Sequence, residues 1–203
     1  MSGRREQGDE QFPATPRVGD LDVDPALAAV VLELEQHASE QGWDQPASLF
    51  ALVDTAALVA AEPALASAMG LDDAAAAGSL TPVEQDQLDP AVALEQSLQT
   101  ISWPAEVGGC AAVVERLVLP PEADADIPED PDEAARFAAE HPARQELRIV
   151  AGATRAGATY CAMRFRSHDD ASSVVAGPDL VPELLELVVA TLIDDPDEGN
   201  TTP

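Results

Sequence analysis

Apolar side chains at Leu27, Val30, Val31, Leu34 and Ala38 recur at the spacing of one helix face, and Glu33, Gln36 and Glu40 fall on the other. Asp24-Pro25 ahead of them reads as an N-cap followed by proline at the first helical position. Gly42 supplies the stop. The compact apolar run from Leu49 to Val53 suits a short buried strand. Asp54-Thr55 then opens a helix from Ala56 to about Met69, with Pro63 inside it, so the helix kinks or restarts after Glu62. LDDAAAAGS, residues 71–79, reads as a linker. In TPVEQ, Thr81, Pro82 and Glu84 resemble a capping box, but the segment also suits an edge strand, and the strand is preferred.

Further along, Gly109 to Leu119 is the strongest strand pattern in the chain. PPEADADIPEDPDE reads as an acidic surface loop, leading to a short helix from Glu133 to Glu140 closed by His141-Pro142. Two strands follow, then a helix in GPDLVPELLELVVATL opened by Asp179, with Leu184, Leu187, Val188 and Leu192 on its buried side. Residues 1–22 and 194–203 lack periodicity and are expected to be a disordered arm and tail. Between them lie an N-terminal α/β part, 23–88, and a C-terminal α+β part, 89–193. Two windows offset by 60 residues look alike. Each begins Leu-Glu-Gln, at Leu34 and Leu94, reaches a tryptophan nine residues later, passes a proline and enters a strand-like run. Internal duplication and coincidence both account for this.

The stretch RQELRIVAGATRAGATYCAMRFR alternates with period two on each side of a Gly-containing turn. A two-residue Ala-Gly loop would pair Ile149 with Arg164 and mix polar with apolar side chains on one face. A three-residue loop, Arg155-Ala156-Gly157, with Gly157 left-handed, restores agreement. Leu147 then faces Phe165, Ile149 faces Met163 and Ala151 faces Cys161, and each half reads as a half-buried strand. On the opposite face Arg148 meets Arg164 and Glu146 meets Arg166.

Charge makes this hairpin conspicuous. The 203-residue chain has a formal net charge of −28, no lysine and ten arginines, five of them between Arg144 and Arg166. Two arginines directly opposite each other are destabilising unless acids lie nearby. Residues 18–115 contain no arginine and many carboxylates, so intramolecular neutralisation is one reading. The other is a docking face for an anionic ligand or acidic partner, with Arg148, Arg164 and Arg166 as candidate binding residues. The acidic excess disfavours nucleic acid and anionic membrane as partners. Aromatic content is only 3%, so the core should be thin, with close helix–sheet contacts.

Catalytic and metal motifs are not evident, and no cofactor is expected. His37, His141 and His168 are far apart, and surface or capping roles suit them best. Asp124 and Asp126 begin like a calcium loop, without the required Gly and terminal Glu. Cys110 and Cys161 have no CxxC spacing and point inward in the register above, which makes thiol catalysis improbable. Trp43 and Trp103 fit packing at helix–strand corners. The Arg4-Arg5 pair has no apolar run behind it, which argues against an export signal, and no run approaches membrane-span length. A reducing cytoplasm is the expected location.

GWDQP at 42–46, FALVDT at 50–55, ISWP at 101–104, HPARQELR at 141–148 and GPDLVPEL at 177–184 resemble an uncharacterised family of conserved hypothetical proteins from high-GC Gram-positive Actinobacteria. The resemblance spans roughly 24–193 and implies a bacterial cytoplasmic setting, with no catalytic residue set. The expectation is an α+β protein: a small, mostly antiparallel sheet flanked by helices, readable as two related helix–strand halves. By analogy with small adaptor and secretion-chaperone folds, the first functional expectation is a non-catalytic interaction protein with a protein partner. The alternatives are a small-molecule enzyme or anionic-ligand binder using the arginine face, and an acidic nucleic-acid mimic.

Overall fold

The computed structural model describes residues 23–68, 70–71 and 77–193. The expected arm, the expected tail and the middle of the 71–79 linker lie outside the described residues. The fold is α+β. Its elements are α1 (Pro25–Gln41), β1 (Ser48–Asp54), α2 (Thr55–Ala61), α3 (Pro63–Ala68), β2 (Leu80–Glu84), α4 (Leu94–Leu98), β3 (Gly109–Val118), α5 (Pro131–Glu140), β4 (Gln145–Thr154), β5 (Thr159–Phe165), β6 (Val175–Gly177) and α6 (Pro182–Ala190).

The strands form one sheet in the order β2-β1-β3-β4-β5-β6, and every neighbouring pair is antiparallel. The N-terminal and C-terminal parts therefore share a sheet, joined where β1 pairs with β3. Both edges are short. β2 has five residues including Pro82, and β6 has three.

Local signals explain most boundaries. Asp24 caps α1 by accepting from Ala26 N and Leu27 N. Asp54 caps α2 through Ala57 N at 2.8 Å. Pro63 restarts the chain as α3 after Glu62, because it has no N–H for a continuing ladder. TPVE is a strand, paired along β1. The Asp179 cap is a correction: α6 begins at Pro182 with Val181 at the cap position and no side-chain cap bond. Proline at the first helical position sets that start two residues later than the Asp179 reading.

The β4–β5 register is as expected, with Leu147 opposite Phe165, Ile149 opposite Met163 and Arg148 opposite Arg164. Thr154 N donates to Ala158 O, which closes the three-residue loop, and Gly157 takes φ +89°. The half-buried expectation for the first strand does not hold. From Leu147 to Thr154, β4 is buried on both faces. One face packs Leu147, Ile149, Ala151 and Ala153 with Cys110, Ala112 and Cys161 against α4 and α6. The other packs Val150, Ala111, Val113 and Ala162 against Leu27, Val30, Val31, Leu34 and Ala38 of α1. Gly152 explains how close α1 comes: a Cβ there would sit 2.8 Å from Val31 Cγ2 and 3.2 Å from Leu27 Cδ1. Alanine-rich strands and this glycine let both layers lie near the backbone, which gives the thin core that the low aromatic content implies.

Candidate functional site

Strand alternation places Arg148 and Arg164 on the α1 face of the sheet, side by side on β4 and β5. α1 lies over them. Its stripe Leu27, Val31, Leu34, Ala38 also carries Glu35, which is buried at 3% exposure. Glu35 takes Arg164 in a fork: Nε donates to Oε1 at 2.6 Å and Nη2 donates to Oε2 at 2.7 Å. A third contact runs from Arg164 Nη1 to Asp169 at 3.5 Å. Hydrogen bonding to Glu35 raises the Arg164 pKa further above its ordinary value, so the guanidinium stays charged despite its burial.

Arg148 is 1% exposed. Its Nη2 donates to Gly42 O and, at 3.0 Å, to Glu115 Oε1 on the neighbouring strand. The other Glu115 oxygen accepts from Asp44 N at 2.8 Å. The Arg148 guanidinium lies 4.4 Å from the centroid of the Trp43 ring, in cation–π range. Arg148 Nη1 is buried and has no hydrogen-bond partner among the described residues.

Arg166 is the most exposed of the three, its side chain 40% accessible. It grips Asp44 with both terminal nitrogens at 2.8 Å, donates to Glu146 at 2.7 Å and lies 5.5 Å from the Trp43 ring. Asp44 sits at φ +67°, a conformation that Asp tolerates better than most residues. The Arg166 hydrogen bonds hold its carboxyl below the usual Asp value. Trp43 Nε1 completes the network by donating to Asp169 at 2.9 Å.

Three guanidiniums are thus met by five carboxylates, Glu35, Asp44, Glu115, Glu146 and Asp169. Intramolecular acids neutralise the arginine face. The sequence signal that could have exposed the central pair was Glu35, which falls on the apolar stripe of α1 at helical spacing. The role of Trp43 as a platform between two arginines has no comparable signal, because it depends on how β4 and β5 pass the end of α1.

Beside this cluster lies a cavity of about 130 Å³ between the end of α1, the 45–48 turn and the 84–87 segment, and Arg148 is among its lining residues. A second concavity, of about 300 Å³, is a shallow groove along α6, lined by Pro182, Leu185, Val189 and Ile193 with Asp179 and Glu186. Ile193 is 68% exposed there.

The remaining candidates sit in structural surroundings. Burial pushes the Cys110 thiol up to about 11, and its Sγ lies 3.2 Å from Thr191 Oγ1. Burial also raises the Cys161 thiol. Each histidine makes a local contact: His37 with Gln41, His141 Nδ1 with Ala143 N, and His168 with Ser167. Trp103 is buried and donates to Thr191 Oγ1 at 3.0 Å. Among the described residues there is no group of three or more His, Cys, Asp or Glu able to hold a metal ion. Nor is any described helix long and apolar enough to cross a membrane.

A family model described as PPA1309-like protein matches residues 27–193. The chain belongs to the PPA1309-like protein family. The matched range takes in α1 from Leu27 onward and every later element, with the arginine cluster and the α6 groove. No curated protein and no solved structure matches the chain.

Proposed function

We propose that this PPA1309-like chain is a non-catalytic, cytoplasmic protein-interaction module of the adaptor or chaperone-like kind, and that it docks its partner in the α6 groove. The observation that carries this reading is the groove itself. Pro182, Val189 and the exposed Ile193 form the apolar wall of a trough whose base is the buried Leu185, on a strongly acidic chain. Asp179 and Glu186 line the same groove. Charge complementarity then selects the occupant: an amphipathic segment of another protein, apolar along one side and flanked by Lys or Arg. The acidic excess weighs against nucleic acid and anionic membrane. The high thiol pKa of Cys110 and the internal pairing of the arginines support a non-catalytic reading.

The test is quantitative capture from the native host with wild type and Ile193→Glu, both checked for folding by circular dichroism. The expected result is a partner bearing a basic amphipathic segment, retained by wild type and lost by Ile193→Glu. A partner held equally by both, or self-association at the groove in sedimentation velocity, would remove the basis for this reading.

A further inference from the structure

The α6 groove has a shape as well as a charge. We propose that its occupant is itself an α-helix of about three turns, laid along α6 with its basic residues over Asp179 and Glu186. This rests on the groove reading above and adds the conformation of the partner segment. The first observation is spacing. Pro182, Leu185, Glu186, Val189, Ala190 and Ile193 fall at i, i+3, i+4, i+7, i+8 and i+11, one straight face running along α6 and the turn that ends it. At the helical rise per residue that face is about 17 Å long, the length of roughly three turns of a second helix. Leu185 forms the base, while Glu186 and Ala190 are exposed along the face.

The second is backbone chemistry. Of the lining residues only Thr159 belongs to a strand, and it lies opposite Ala153 in the β4–β5 pairing. An extended segment in the groove would find no ladder to join and would press unpaired N–H and C=O groups onto apolar side chains, whereas a helix satisfies its own. The third is that both walls are fixed before anything binds. Thr159 Oγ1 donates to Pro178 O at 2.8 Å, next to Asp179. Trp103 Nε1 donates to Thr191 Oγ1 at 3.0 Å, and Arg155 Nη1 donates to Leu192 O, next to Ile193. A preformed surface loses little freedom on binding, which leaves the ordering of the partner helix as the main cost. Two other occupants fit poorly. Residues 194–203, DDPDEGNTTP, offer no large apolar side chain and no cation. A second copy of α6 would bring like carboxylates together between two molecules of formal net charge −28.

The test is isothermal titration of the full chain with synthetic peptides. The main probe is a hydrocarbon-stapled helix with leucine at i, i+3, i+4 and i+7 and lysine on both flanks. Its controls have the same composition with the leucines at alternating positions, a proline in the middle, or glutamine in place of every lysine. The stapled helix is expected to bind with a Kd of about 100 μM or tighter, and the alternating and proline peptides at least about tenfold more weakly. The exposed double variant Asp179→Asn, Glu186→Gln should fold normally, lose about tenfold in affinity for the lysine helix and leave the glutamine helix unchanged. An alternating peptide that binds as tightly as the stapled helix, and is lost in Ile193→Glu, overturns the helical occupant and leaves the groove standing. No binding by the stapled helix also overturns it, while capture with Ile193→Glu still decides the groove. Equal losses for the lysine and glutamine helices in the double variant would remove Asp179 and Glu186 as the groups that read the partner's charge, and the proposal fails with them.

Discussion

Trp43 and Trp103 each follow a Leu-Glu-Gln by the same number of residues and each precede a strand, yet they occupy opposite kinds of ground. Trp103 is buried with Leu94, Leu98, Cys110 and α6, and its one polar atom bonds Thr191. Trp43 is half-buried at the end of α1, between two guanidiniums, and its polar atom bonds a carboxylate. The strands after them differ in the same sense. Seven residues past each tryptophan stand Phe50, which packs against α1, and Cys110, which packs against α6. Each corner also has its arginine. Arg148 lies on the Trp43 ring, whereas Arg155 donates to the Trp103 carbonyl at 2.7 Å and to Val107 O at 2.9 Å. Similar local sequence thus serves two faces of one sheet, and the face decides whether the ring is core or platform.

The largest effects should come from the buried groups at each corner. Glu35→Ala leaves Arg164 charged and buried, and should cost about 3–5 kcal/mol in urea unfolding. Glu35→Leu with Arg164→Met should recover most of that loss, since an apolar pair avoids desolvating two charges. Trp103→Ala empties core volume and should also cost about 3–5 kcal/mol. Trp43→Ala removes a partly solvated platform and should cost less, about 1–2 kcal/mol. Equal losses for the two tryptophans would erase the contrast between the corners.

Acid should act on the Trp43 corner first. The Asp44 carboxyl is lowered by its Arg166 hydrogen bonds from an ordinary value of 3.8. Its contribution is therefore present above that value and disappears as pH falls through the lowered folded-state value. Carboxyl NMR titration should show Asp44 titrating below free Asp, and Arg166→Ala should bring it back toward 3.8. The smallest effect belongs to the Trp103 corner. Cys110, held protonated by burial, should resist alkylation at mildly alkaline pH in the native protein and react in Trp103→Ala.

Much of this was legible in residue patterns. The β4–β5 register followed from period-two alternation and the need for a left-handed Gly157, because a one-residue slip would have sent Arg164 onto the apolar face. Pro63 marked the break between α2 and α3. The burial of both faces of β4 was not legible. It depends on α1 crossing the sheet at Gly152, a long-range packing choice that alternation within the hairpin does not encode. The cluster was half legible. Arg148, Arg164 and Arg166 stand out by charge, but of their partners only Glu146 and Asp169 lie near them in sequence; the others come from α1, the turn after it and β3, over 100 residues away for Glu35 and Asp44. The unpaired Nη1 of Arg148 and the cavity beside it belong to tertiary structure alone.

The two rims of the sheet carry a further meaning. A strand margin templates fibril growth when it is long, flat and able to donate along its length. Here one margin is interrupted by Pro82 and the other ends after three residues, so neither gives an incoming chain enough ladder to zip against. Combined with mutual repulsion between copies of so negative a molecule, this should keep concentrated solutions clear of amyloid-type precipitates.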